Sequence, residues 1–203
     1  MCGRYYVDDD TAREIEKVIR QVDEKFQNGS QDRIALKAGD ISPAATAPVL
    51  AASGQKLCCR WQRWGFPWQK QIIFNARSES ALQKKMFRES VEHRRVVVPA
   101  TWFYEWSRNK EKNVFRRSGQ PVLFMAGFFN RCQDEDRFVL LTTAANASME
   151  PVHDRMPLIL ERDEIVPWIF DDGKTEAFLH KTPCLLNRST EFEQMSLFSF
   201  PKG

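Results

Sequence analysis

Between residues 72 and 160 the chain carries five short apolar runs, at 72–76, 95–99, 121–129, 138–145 and 157–160, rich in Val, Ile, Leu, Phe and Thr. Each has the length and the β-branched and aromatic content of a strand. Short helical patterns near 81–89 and 175–181 interrupt them, but strands and helices do not alternate as a parallel α/β fold requires. The pattern predicts an α+β fold built on curved antiparallel sheet with a few peripheral helices. One clear helix precedes it. From about Thr11, the residues Ala12, Ile15, Val18, Ile19, Val22 and Phe26 recur at helical spacing. Thr11 with Glu14 fits a capping box, Asp8 to Asp10 set negative charge at the positive helix end, and Asn28-Gly29 closes the segment.

A chain of 203 residues can bury a proper core as one domain, 1–203, with no disulfide staple. No apolar run approaches the roughly 18 to 20 residues that span a bilayer, so no membrane helix is expected. Five cysteines, two of them adjacent (Cys58, Cys59), read as a reduced cytoplasmic chain. The phosphate-cradling G-x-x-x-x-G-K and G-x-G-x-x-G patterns are missing, as are H-E-x-x-H and G-x-S-x-G. His93, His153 and His180 are far apart and Cys58-Cys59 has no second pair, so neither a metal nor a small-molecule cofactor is expected.

The net charge of +3 hides an uneven distribution. Residues 41–117 carry fifteen Lys and Arg against five Glu, while the flanking segments are acidic. Five of the six tryptophans lie between Trp61 and Trp106, inside that basic stretch. Interleaved Arg and Trp in Arg60-Trp61-Gln62-Arg63-Trp64 suit single-stranded nucleic acid, where bases stack on rings and guanidinium groups hold phosphates. Core aromatics are the competing reading.

Four segments carry residues suited to chemistry. In Met1-Cys2-Gly3-Arg4, trimming of Met1 would leave Cys2 with an amine and a thiol on adjacent carbons. An aldehyde captured by that amine can be closed by the thiol into a five-membered thiazolidine; an internal cysteine lacks the free amine. A terminus with no function is the alternative. In Asn75-Ala76-Arg77, a strand end sets two polar side chains on one face, either for binding or merely solvated. Glu105 lies among Trp102, Phe103, Tyr104 and Trp106, which suits a desolvated general acid or an ordinary edge strand. His153, beside Asp154 and Arg155, sits in a polar turn that could present it to a cleft.

Together these segments resemble the SRAP family, the SOS-response-associated peptidase or abasic-site-processing proteins. The matched pieces are Met1-Cys2-Gly3-Arg4, Arg63-Trp64-Gly65-Phe66, Asn75-Ala76-Arg77-Ser78-Glu79, Phe103-Tyr104-Glu105-Trp106, Ala126-Gly127-Phe128 and His153-Asp154-Arg155-Met156-Pro157, in family order. The chain departs from the family pattern in carrying Trp102 where glycine is usual, and in a compressed Trp64–Trp68 loop. The resemblance implies a pseudo-barrel and covalent capture of abasic sites in single-stranded DNA by a monomer. It implies Cys2 as nucleophile, Asn75 as the contact to the opened sugar, Glu105 as acid–base residue and His153 as the residue assisting sugar opening. Arg4, Arg77 and Arg155 match DNA-binding positions, and Trp64 lies in the stretch that stacks on DNA. Two other functions use the same residues: a cysteine peptidase with Cys2 as nucleophile, including removal of Met1, and a non-covalent single-strand binder.

Overall fold

The computed structural model describes residues 2–26 and 36–190. In chain order these form β1 (Arg4–Val7), α1 (Asp9–Phe26), β2 (Gly39–Ile41), β3 (Thr46–Ser53), β4 (Lys56–Trp64), β5 (Phe66–Trp68), β6 (Gln71–Ile73), β7 (Asn75–Arg77), α2 (Ser78–Ala81) and α3 (Arg88–His93). Then come β8 (Arg95–Ala100), β9 (Trp102–Trp106), β10 (Lys112–Arg116), β11 (Leu123–Cys132), β12 (Glu135–Ala144), β13 (Arg155–Pro157), β14 (Ile159–Leu160), α4 (Ile165–Phe170), α5 (Thr175–Leu179) and β15 (Asn187–Thr190).

β12 pairs with both β11 and β4, so the ring β4–β3–β8–β11–β12 closes into a five-stranded barrel. A second sheet, in the order β15–β10–β9–β1–β2, packs beside it. The expected α+β fold with a barrel of strands is the one observed, with one departure from antiparallel pairing. β12 runs parallel to β4 (Phe138↔Trp64) and then parallel to β7 (Leu140↔Asn75). β4 and β7 therefore lie on one line, a single strand interrupted by residues 65–74, which leave as the β5–β6 hairpin and return in the original direction. Gly65 makes that exit possible. Its φ is +104°, and a Cβ there would lie 2.2 Å from Ile72 Cγ2.

Alternate residues of the barrel strands serve two cores. Val49, Val96, Val98, Met125 and Leu140 join Tyr5, Phe103 and Phe115 of the second sheet. Leu50, Val97, Phe124, Val139 and Leu141 join Ile15 and Val18 of α1 and Trp168 of α4. Burial on both faces explains why these strands read as continuous apolar runs rather than alternating ones.

The helix start differs from expectation. α1 begins at Asp9, and Asp8 caps it: Thr11 N–H donates to Asp8 Oδ1 at 3.1 Å and Asp8 N–H to Thr11 Oγ1 at 3.2 Å. Thr101 reaches the same carboxylate at 2.8 Å, tying the cap to the loop between β8 and β9. Glu14 is instead paired with Lys17 and Arg162, a tertiary contact that outcompetes a local box. The expected end at Asn28-Gly29 lies outside the described residues, as do the side chains of Val22 and Phe26. Among the described residues, no helix is long and apolar enough to cross a membrane.

Candidate active site around Cys2

β1 lies between β2 and β9, with Arg4 opposite Tyr104 and Tyr5 opposite Phe103. Alternation along β9 sends Phe103 and Glu105 inward while Trp102, Tyr104 and Trp106 face outward. Glu105 is accordingly 5% exposed. Cys2, just ahead of β1, is 1% exposed and sits within range of the Glu105 charge. Burial first, and that carboxylate second, push its thiol up to about 12. Its Sγ lies 3.8 Å from the Arg4 carbonyl.

Asn75 comes from the far side of the hairpin excursion. Resuming the line of β4 brings its side chain to the first residues of the chain, where Nδ2 donates to the Cys2 carbonyl at 2.8 Å. The amide oxygen is buried and without a partner among the described residues. Cys2, Asn75 and Glu105, separated in sequence, thus meet in one buried place. The thiol is held protonated at neutral pH, within range of the Glu105 charge.

His153 follows the turn after β12, which is closed by His153 N–H donating to the Met149 carbonyl at 3.1 Å. Its Nδ1 accepts the Arg155 N–H at 3.0 Å and lies 2.8 Å from Asp154 Oδ1. These two contacts belong to different protonation states. An unprotonated Nδ1 accepts from the backbone and leaves the proton on Nε2; a protonated Nδ1 donates to Asp154. β7 and β13 flank β12 on either side, and Thr142 pairs with both Arg77 and Pro157. The strands that lead to Asn75 and His153 are thereby held about 10 Å apart.

Two of the expected DNA contacts need correction. Trp64 has no exposed surface; it donates its indole N–H to the Phe74 carbonyl at 2.9 Å and packs between Tyr5 and Phe138. It anchors the start of the hairpin excursion and offers no face to a base. Arg155 donates to both oxygens of Glu79, at 2.7 and 2.8 Å, and to the Thr142 carbonyl at 2.6 Å, with its side chain only 11% exposed. Its guanidinium, which holds the Glu79 carboxyl below its ordinary range, clamps β13 to α2. Arg4 and Arg77 are exposed. The tryptophans with accessible rings are Trp61, Trp68 and Trp106.

Sequence reasoning missed Tyr5. Its ring is fully buried, its hydroxyl has no partner among the described residues, and burial with the neighbouring Cys2 raises its pKa. The strand pattern Tyr5–Tyr6–Val7 was the available signal, since it sets a phenol on the inward face. Among the described residues, no group of three or more His, Cys, Asp or Glu could hold a metal.

The sequence model for SOS response associated peptidase (SRAP) matches residues 1–198. The chain belongs to the SRAP family. An Escherichia coli relative called abasic site processing protein YedK is 28% identical over 184 residues, covering 76% of this chain and 82% of that protein. Bacillus subtilis YoaM, also named an abasic site processing protein, is 25% identical across 100% of this chain and 95% of its own length. A solved structure from Bordetella bronchiseptica shares the SRAP-like fold, with a TM-score of 0.72 at 21% identity over 93% of this chain and 99% of that one. Another from the same organism has a TM-score of 0.75 at 17% identity, covering 93% of each chain.

Proposed function

We propose that this SRAP protein captures abasic sites in single-stranded DNA through Cys2, as a thiazolidine. The observation that carries the reading is the junction of Cys2, Asn75 and Glu105. The residue that would bear both nucleophiles has its carbonyl fixed by one side chain and its thiol set against the charge of the other. The family and its relatives' names supply the substrate class.

Removal of Met1 frees the Cys2 amine. It attacks C1′ of the open-chain sugar, and the carbinolamine loses its hydroxyl as water when Glu105 supplies a proton. The thiol then adds to the iminium carbon and gives its proton to Glu105. The aldehyde oxygen leaves as water with one hydrogen from the amine and one from the thiol, and Glu105 ends as it began. A thiol near 12 suits this order, because its target is cationic and its proton passes directly to a carboxylate. The Asn75 amide oxygen accepts from a sugar hydroxyl, and His153 protonates the ring oxygen as the sugar opens. Arg4 and Arg77 hold phosphates, and Trp106, Trp68 and Trp61 stack bases in place of Trp64.

The peptidase alternative needs a ready thiolate, which burial withholds. The test is incubation with single-stranded DNA containing one abasic site, read on a denaturing gel. Wild type gives a shifted, heat-stable band, and Cys2→Ser gives none. No band from wild type, or an equally stable one from Cys2→Ser, ends the thiazolidine reading.

A further inference from the structure

Beyond Arg4 and Trp106, the outward face of the second sheet carries rings and charges that this chemistry does not use. On β9, Trp102, Tyr104 and Trp106 point outward, flanked by Arg4 and Tyr6 on β1 and by Lys112 and Arg116 on β10. Tyr6 stacks on Trp102 at 4.1 Å with an interplanar angle of 4°. A cation sits over each β9 ring: Arg116 over Trp102 at 4.1 Å, Lys112 over Tyr104 at 4.7 Å and Arg4 over Trp106 at 5.6 Å. A carboxylate also enters the group: Asp40 accepts the Tyr104 hydroxyl at 3.0 Å and lies 4.0 Å from Arg4.

We propose that this face is a backbone track for single-stranded nucleic acid, running from the Cys2 site toward Trp102 and Arg116. The proposal rests on the capture reading above. Three outward positions two residues apart repeat at roughly 7 Å along a strand, a spacing near that of successive phosphates in an extended single strand. Each ring restrains the cation above it, so less side-chain freedom is lost when a phosphate arrives. Arg4 is shared with the site and sets the direction. Trp102 stands where the family motif has glycine, and it builds the far end of the track by stacking Tyr6 and seating Arg116.

The test is binding of an intact, non-abasic single strand, so its outcome does not depend on crosslinking. Lys112→Gln/Arg116→Gln is compared with wild type by fluorescence anisotropy at several salt concentrations. Affinity for a long strand falls several-fold, and the slope of log K against log salt shrinks by about 1.4, two phosphate contacts at about 0.7 each. A second variant, Trp102→Gly, which removes the ring and keeps both charges, loses affinity less. Crosslinking of a short abasic oligonucleotide is the same in wild type and the double variant. Unchanged affinity and slope in a folded double variant would overturn the track. A wild type that binds but never crosslinks would instead sink the capture reading.

Discussion

The two sides of Cys2 are tuned differently. Its carbonyl is pinned by Asn75, while its thiol is desolvated and faces a carboxylate, so the sulfur stays protonated far above neutrality. A cysteine peptidase tunes its thiol in the opposite direction. The expected outcome is slow alkylation. At pH 8, iodoacetamide should modify Cys2 in the native protein roughly a thousandfold more slowly than an ordinary exposed thiol, because so little thiolate is present. Glu105→Gln should speed the reaction by removing the opposing charge, while burial keeps it well below the exposed rate. Peptide mapping by mass spectrometry measures both, and alkylation at the exposed rate in wild type would show that the thiol is not held protonated. Part of this site was legible in advance. Cys2 stands out by its place after Met1, Asn75 as the polar end of an apolar strand and Glu105 by its aromatic neighbours, while the roles expected of them come from the family resemblance. The burial of Trp64 and the pairing of Arg155 with Glu79 were not legible, because both depend on contacts across strands far apart in the chain.

Elements were read best where one face is apolar and worst where a strand is short or a cap is shared. The five runs between 72 and 160 all contain strands, but the first and last each divide into two. β1, β2 and β15 have only three or four residues, too few for any period to register, yet β1 carries the site. The helix cap was misplaced by three residues because Asp8, Thr11 and Thr101 share one network across 93 residues of sequence. That network gives a prediction at this scale. Asp8→Ala removes the acceptor for both Thr11 N–H and the Thr101 hydroxyl and should cost about 1–2 kcal/mol. For a chain of this size the loss lowers Tm by roughly 3–6 °C. Asp8→Asn, which keeps an acceptor, should recover most of it; Glu14→Gln should leave the helix start unchanged. Thermal unfolding followed by circular dichroism separates the three, and an Asp8→Ala protein as stable as wild type would remove Asp8 as the cap.

At the scale of the molecule, an interrupted strand joins the barrel to the chemistry. β4 and β7 share one line along β12, and the 65–74 excursion between them lets Asn75 arrive beside Cys2. The fold also desolvates groups whose charged forms it disfavours. The Cys59 thiol is pushed from 9.0 to about 12 by burial and by neighbouring Cys58, and Cys2 is raised to the same range. Tyr5 moves the same way. In the unfolded chain these thiols lose their protons near pH 9, while the folded chain retains them until about 12. Between those values the native state binds more protons than the unfolded state, so stability falls as pH rises. It is fully present below pH 9 and declines by up to about 1.4 kcal/mol per pH unit for each thiol. Urea unfolding from pH 8 to 11 should therefore show a steepening loss for wild type. Cys59→Ala removes one titrating group at the cost of a small cavity, so it should be less stable at pH 8 but lose stability more slowly toward pH 11. Parallel pH curves for the two proteins would mean that the half-buried Cys59 thiol does not couple its proton to folding.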